Sequence, residues 1–211
     1  MIGLRQARIS EGALRLGVAA SAGAVTVALP TSFPADGGPT DVDRAVASPI
    51  HEALDAHPGV YEALVVPSNG YILLPLLVLA AVWFGRRGDW WRAATMLVVP
   101  ELVVAINTWV LKPFWDRPLH DYLAYPSGHT VHLVAIATTF VLLTESARRR
   151  WIAVTLTVAI LALVAVGMVG LGYHLPTDVV GGAGAAIALG IAFCAVSQWL
   201  SGHRRSRAAI P

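Results

Sequence analysis

Six apolar runs, at 14–29, 67–84, 93–111, 130–144, 151–173 and 179–200, alternate with short polar connections along the 211-residue chain. A helix that crosses a bilayer needs about 20 apolar residues, with a range near 17–25. The third, fifth and sixth runs meet that length unaided; the first, second and fourth need flanking residues. The pattern predicts an all-α polytopic membrane bundle of six transmembrane helices, forming one integral membrane domain over 1–211. Residues 30–66 form an external loop rich in Pro, Gly and acid. Within it, Val42, Ala45, Val46, Ala53 and Leu54 recur at helical spacing around Pro49, which predicts short helices lying at the membrane surface. Gly167, Gly170, Gly181, Gly182, Gly184 and Gly190 suit close helix contacts in the last two spans.

Composition narrows the class further. Apolar residues make up 56% of the chain and charged residues 13%, and the mean hydropathy is +0.64. Disorder requires the opposite balance, and a soluble core of this length cannot hide so much apolar surface. The single cysteine, Cys194, excludes an intrachain disulfide framework. Net charge says little, but its placement says a great deal. Twelve of the 15 basic residues precede span one, follow span six, or lie in the connections after spans two and four. The opposite face keeps only Arg44, Lys112 and Arg117, together with nine acids. The positive-inside rule then puts both termini in the cytoplasm. A cleaved signal peptide is the alternative for the first run, but no convincing small-x-small cleavage site precedes Pro30.

The histidines are equally uneven. Six of seven (His51, His57, His120, His129, His132 and His174) fall on or near the outer face. The connection between spans three and four reads KPFWDRPLHDYLAYPSGH over 112–129, and the one after span five reads GYHLPTD over 172–178. Both reach the same face and can meet at one site. Lys112 is the only lysine in the chain; with Arg117 it suggests an anion site, and phosphate suits both cations. Ser127 can cap span four, whose free N–H groups also favour an anion. Asp178, at the start of span six, can hold one ring nitrogen of His174 and leave the other free to attack. A zinc site from His129, His132, His174 and Asp178 is disfavoured, because Lys112 and Arg117 would repel a dication. Glu101, a carboxylate midway along span three, is either functional or a structural partner for another polar residue.

These residues resemble the type-2 phosphatidic acid phosphatase superfamily, whose segments are Lys-x6-Arg-Pro, Pro-Ser-Gly-His and Ser-Arg-x5-His-x3-Asp. Pro126-Ser127-Gly128-His129 and His174-x3-Asp178 match, and the likeness runs over about 112–178. It implies His174 as nucleophile, Asp178 as its orienting carboxylate and His129 as acid for the leaving oxygen. Lys112, Arg117, Ser127 and Gly128 would hold phosphate, with no metal or other cofactor. Two positions depart from the pattern: Leu119 stands where the first segment has arginine, and Gly167-Met168 stand for Ser-Arg. At least one phosphate-binding arginine is missing. Arg44 either replaces it, from a loop folded over the site, or pairs locally with Asp41 and Asp43. The expected activity is hydrolysis of a lipid phosphate or diphosphate, polyprenyl or phosphatidyl, at the outer face of the cytoplasmic membrane through a phosphohistidine. The alternatives are transfer to an alcohol and a degenerate member that binds lipid without turnover. The expected partners are the lipid phosphate and the bilayer, with no nucleic acid; the sequence sets no oligomeric state.

Overall fold

The computed structural model describes the backbone of residues 2–208 and the side chains of residues 11–203. The side chains of Arg5, Arg8, Arg204, Arg205 and Arg207, five of the twelve inner-face cations, lie outside the described residues. Helix α1 (Ile2–Ala28) ends in a 3-10 turn at Leu29–Ser32. The external segment then carries α2 (Asp41–Leu54) and α3 (Pro58–Val65), and a second 3-10 turn, Val66–Ser68, leads into α4 (Gly70–Gly85). Helix α5 (Trp90–Ile106) passes through a π-helical turn, Asn107–Leu111, into the short α6 (Lys112–Trp115). Strands β1 (Pro118–Leu119) and β2 (Tyr122–Leu123) form a small antiparallel hairpin. Helices α7 (Gly128–Leu143), α8 (Ala147–Gly170) and α9 (Pro176–Ala208) complete the chain.

Among the described residues, five helical segments are long and apolar enough to cross a membrane: Glu11–Ser32, Pro58–Gly85, Trp90–Trp115, Ala147–Gly170 and Pro176–His203. Helix α7 is apolar but has only 16 residues. At 1.5 Å per residue it spans about 24 Å, short of the roughly 30 Å hydrocarbon layer. Its apolar side chains meet protein rather than lipid. Val131, Val134 and Ala135 pack with Val99 and Val103 of α5 and with Ala185, Ala186 and Cys194 of α9. Leu143 closes a second cluster with Leu77, Ala81 and Phe84 of α4. A third joins Val65 to Val164 and Met168 of α8 and Val179 of α9.

The glycines let these helices close. A Cβ on Gly170 would lie 2.2 Å from the Tyr61 ring, and one on Gly184 would lie 2.6 Å from the Ala22 carbonyl oxygen. Helix α1 is thereby packed on α9, and Thr26 Oγ1 donates to the Gly181 carbonyl at 3.1 Å. At one end of the bundle, Arg92 of α5 pairs with Glu145 at 2.6 Å, and Arg150 of α8 reaches Glu11 of α1 at 3.6 Å. Trp90, Trp151 and Trp199 are exposed at this end; Trp109 and Phe114 are exposed at the other. Aromatic side chains at two levels are what membrane interfaces favour.

Of the six expected spans, five are long enough and the fourth is the shorter α7. Among the described residues the fold is helical apart from the hairpin, whose two-residue turn places His120 at φ 54°. The external segment carries the short helix expected around Pro49. Thr40 and Asp43 form a capping box that starts α2, and this helix packs across the ends of α8 and α9.

Candidate active site

The π-helical turn at Asn107–Leu111 brings Lys112 round at the end of α5. Such turns interrupt α-helices mainly where a side chain must be re-aimed. Lys112 donates to the Leu123 carbonyl, and Asn107 Nδ2 donates to the Pro126 carbonyl at 3.3 Å. These bonds stitch the end of α5 to the connection that leads into α7. Ser127 caps α7 by accepting from the Thr130 N–H, while its own N–H donates to the Asp178 carbonyl at 3.0 Å. The N-terminal ends of α7 and α9 therefore stand side by side. Gly182 permits this, since a Cβ there would lie 2.9 Å from the Ser127 carbonyl oxygen.

Between α8 and α9 the chain turns at Gly172, with φ 67°, and delivers His174. Tyr122 of the hairpin donates to the Tyr173 carbonyl. The His174 ring is buried, with its centroid 5.9 Å from that of His129 and the planes at 74°. Its Nδ1 has no hydrogen-bond partner and lies 3.8 Å from Asp178 Oδ2. A cavity of about 510 Å³ opens in front of these rings, lined by Lys112, Tyr122, Gly128, His129, His132 and His174. Of the six outer histidines only three reach it. His51 instead pairs with Asp55 at 2.9 Å, and His120 sits in the hairpin turn.

Arg117 does not line this cavity, contrary to expectation. It is 2% exposed, and its guanidinium is fully engaged behind Asp178. Nε donates to the Gly37 carbonyl at 3.0 Å, and one terminal nitrogen donates to Thr177 Oγ1 at 2.7 Å and Asp178 Oδ1 at 2.8 Å. The other donates to the Gly38 carbonyl at 2.9 Å and Asp43 Oδ2 at 3.2 Å, and the group stacks on the Phe33 ring at 3.7 Å. Gly37 has φ 74° and would place a Cβ 2.6 Å from the Pro118 ring, so glycine is required where its carbonyl reaches Arg117. The Ser127 side chain is likewise buried away from the cavity, in contact with Met168 Sδ at 3.8 Å.

Arg44 makes the local pair, with Asp41 at 2.6 Å, and also donates to the Pro39 carbonyl. The external segment packs behind the site, and the residue it contributes is Asp43. That carboxylate is fully buried and accepts from the N–H and hydroxyl groups of both Thr40 and Thr177. Burial raises its pKa, yet these hydrogen bonds outweigh burial and leave it below the usual carboxylate range. Sequence reading missed Asp43; its only signal was a Thr-x-x-Asp start to a surface helix. Burial and the charges of Asp178 and Asp121 raise the Tyr122 hydroxyl, which keeps it a proton donor at the cavity wall.

Glu101 finds its partner in His132, at 3.0 Å from Nε2. His132 thus joins the cavity to an intramembrane carboxylate. Leu119 pairs with Tyr122 in the hairpin, and Met168 is buried beneath Ser127, so neither departure leaves a gap. His129, His132 and His174 line one cavity, and the Lys112 ammonium shares it with them. Among the described residues no three His, Cys, Asp or Glu side chains are grouped to bind one.

The family model described as the PAP2 superfamily matches residues 72–201. A crystal structure of a transmembrane PAP2-type phosphatidylglycerolphosphate phosphatase from Bacillus subtilis has the same fold. Its TM-score is 0.67, with 21% identity, over 85% of this chain and 96% of that one. No curated protein sequence gives a significant match.

Proposed function

The chain belongs to the PAP2 superfamily of membrane phosphatases, hydrolases of phosphoric monoester bonds, and we propose that it dephosphorylates a lipid phosphate or diphosphate through a phosphohistidine on His174. One observation carries this reading: two histidines meet edge to face in a cavity with Lys112, and the buried one has a carboxylate behind its Nδ1. Asp178 favours the tautomer with the proton on Nδ1, which leaves Nε2 to attack phosphorus. As the new P–N bond forms, the P–O bond to the lipid breaks and His129 gives its proton to the leaving oxygen. Water then attacks phosphorus, His129 takes its proton, and the P–N bond breaks to release phosphate. One histidine must be neutral and the other protonated at the same pH, which requires different environments. His174 is the more enclosed of the two and alone has the carboxylate.

Phosphoryl transfer needs positioning and charge neutralisation more than covalent help. Lys112 supplies one cation. The first N–H groups of α7, at Gly128 and His129, have no partner inside the helix and add the positive end of its dipole. His132, held by Glu101, is the third contributor, in place of the missing arginines. Five candidate spans and the shorter α7 would set this cavity, at the end of the bundle that exposes Trp109 and Phe114, near the level of a lipid head group. The charge pattern supports an active site on the outer side of the cytoplasmic membrane, with both termini inside.

Release of inorganic phosphate from polyprenyl and glycerolipid mono- and diphosphates in detergent micelles tests the reading, wild type against His174→Ala. Turnover by wild type alone, with acid-labile label on the wild-type protein, is the expected result. Phosphate transferred to an added alcohol would make the chain a phosphotransferase. Lipid binding without release would make it a degenerate member. Label persisting in His174→Ala would remove that residue from the nucleophile role.

A further inference from the structure

We propose that Asp43 is a positioning residue for His174, acting through Arg117 and Asp178, so that the external segment is a working part of the active site. The inference rests on His174 being the nucleophile. Asp43 lies outside residues 72–201, where the chain matches its family, and arrives on α2 from the external segment. It is tied in twice over. Its carboxylate closes the capping box of α2, and it also accepts the Thr177 N–H at 2.8 Å, an N–H in the first turn of α9 that has no acceptor inside its own helix. One side chain therefore caps two helices and fixes α2 against the start of α9.

Charge is the second part of the argument. Arg117 lies between two fully buried carboxylates, Asp43 at 3.2 Å and Asp178 at 2.8 Å. With Asp178 alone, the guanidinium would form a neutral pair and withdraw the negative charge that His174 needs behind it. With Asp43 present the cluster carries one net negative charge, and Asp178 Oδ2 keeps its field on His174 Nδ1, 3.8 Å away. A buried three-charge cluster is costly to desolvate and a poor source of stability. Its arrangement makes sense as a means of holding Asp178 both fixed and negative. The other groups facing His174 are His129 and His132 from α7, Lys112 from the end of α5, and Tyr122 from the hairpin, with Tyr173 beside it in the chain. None of them changes in the variants below.

The test is the pH profile of kcat/KM for phosphate release, measured on full-length protein. Its acid limb reports His174 losing its proton before attack. Asp43→Asn leaves Arg117 and Asp178 as a neutral pair, disfavours the imidazolium, and should move the acid limb down by about 0.5–1 pH unit. It should also lower kcat about tenfold with KM little changed. Arg117→Gln should move the limb up, and the Asp43→Asn/Arg117→Gln double variant should bring it back towards wild type. A purely structural Asp43 would lower the active fraction and leave the limb in place in all three, which overturns the proposal. Should Asp43→Asn fail to fold, the double variant and Asp43→Glu still decide: a limb shifted up by Arg117→Gln and not returned in the double variant also overturns it. If instead His174→Ala keeps turning over, the underlying assignment of the nucleophile has failed, and the limb says nothing in favour of Asp43.

Discussion

Gly181→Ala adds one methyl group to the first turns of α9 and should disable the enzyme from a position that touches no substrate. The new Cβ would lie 2.2 Å from the Tyr125 ring and 2.4 Å from its hydroxyl, where ordinary contact begins near 3.4 Å. The ring or the helix must therefore give by more than about 1 Å. Tyr125 has nowhere easy to go. It is completely buried, its hydroxyl donates to the Thr26 carbonyl, and Phe33 meets its face at 5.0 Å between centroids. Overpacking of this kind costs on the order of 1–3 kcal/mol. Tyr125 also precedes Pro126-Ser127-Gly128-His129, so its displacement carries His129 away from His174. A misplacement of about 1 Å can cost roughly a hundredfold in rate. Gly23→Ala is the matched control at the same pair of helices. Its Cβ would sit 3.7 Å from Ala188 Cβ, an ordinary contact, and alanine is the better helix former. Thermal unfolding in detergent together with kcat for phosphate release should show Gly181→Ala less stable and at least tenfold slower, with Gly23→Ala unchanged or more stable. Equal behaviour of the two variants would refute the packing argument and its link to His129.

Two further outcomes follow from the same geometry. Because the Lys112 ammonium shares the cavity of the three histidines and would repel a dication, activity should survive a strong chelator while Lys112→Met lowers kcat/KM at least tenfold; full loss on chelation with recovery on adding zinc or magnesium would return the histidines to a metal site. Asp43 has a folded-state pKa below the ordinary carboxylate value, so its stabilisation is present above about pH 4 and is lost as pH falls through the depressed value. The Tm advantage of wild type over Asp43→Asn should then be widest near neutrality and close in acid, and a constant gap would show that the carboxylate charge is not what stabilises.

What could be read in advance divides along a physical line. Apolar runs and arginine placement announce the bundle because the bilayer acts on every residue of a crossing helix, and the signal accumulates over 20 positions. Short local motifs were legible for a related reason. Pro126–His129 and His174–Asp178 each sit within one turn of a helix start, so neighbours in sequence are neighbours in space. Arg117 failed this test. Its residue type and its place beside Lys112 suggested an anion, yet whether a guanidinium faces a cavity or turns behind it depends on acceptors elsewhere in the chain. Those acceptors are Gly37, Gly38, Asp43, Thr177 and Asp178, drawn from segments about 60 to 80 residues away on either side. Asp43 was invisible for the same reason, since a Thr-x-x-Asp helix start looks alike whether its carboxylate meets water or a buried arginine. Arg44 takes the local pair with Asp41, and the external segment packs behind the site, where the charge it delivers is negative. The consequence runs back to the chemistry. On the proposed mechanism, a site that keeps its arginine behind His174, with Leu119 and Met168 where the family pattern has arginines, would neutralise its substrate with Lys112, a helix terminus and histidines. An imidazole can lose its proton within the physiological pH range, whereas a guanidinium does not. Substrate binding should therefore weaken as pH rises above the histidine range, in a way that an arginine-lined site would not show.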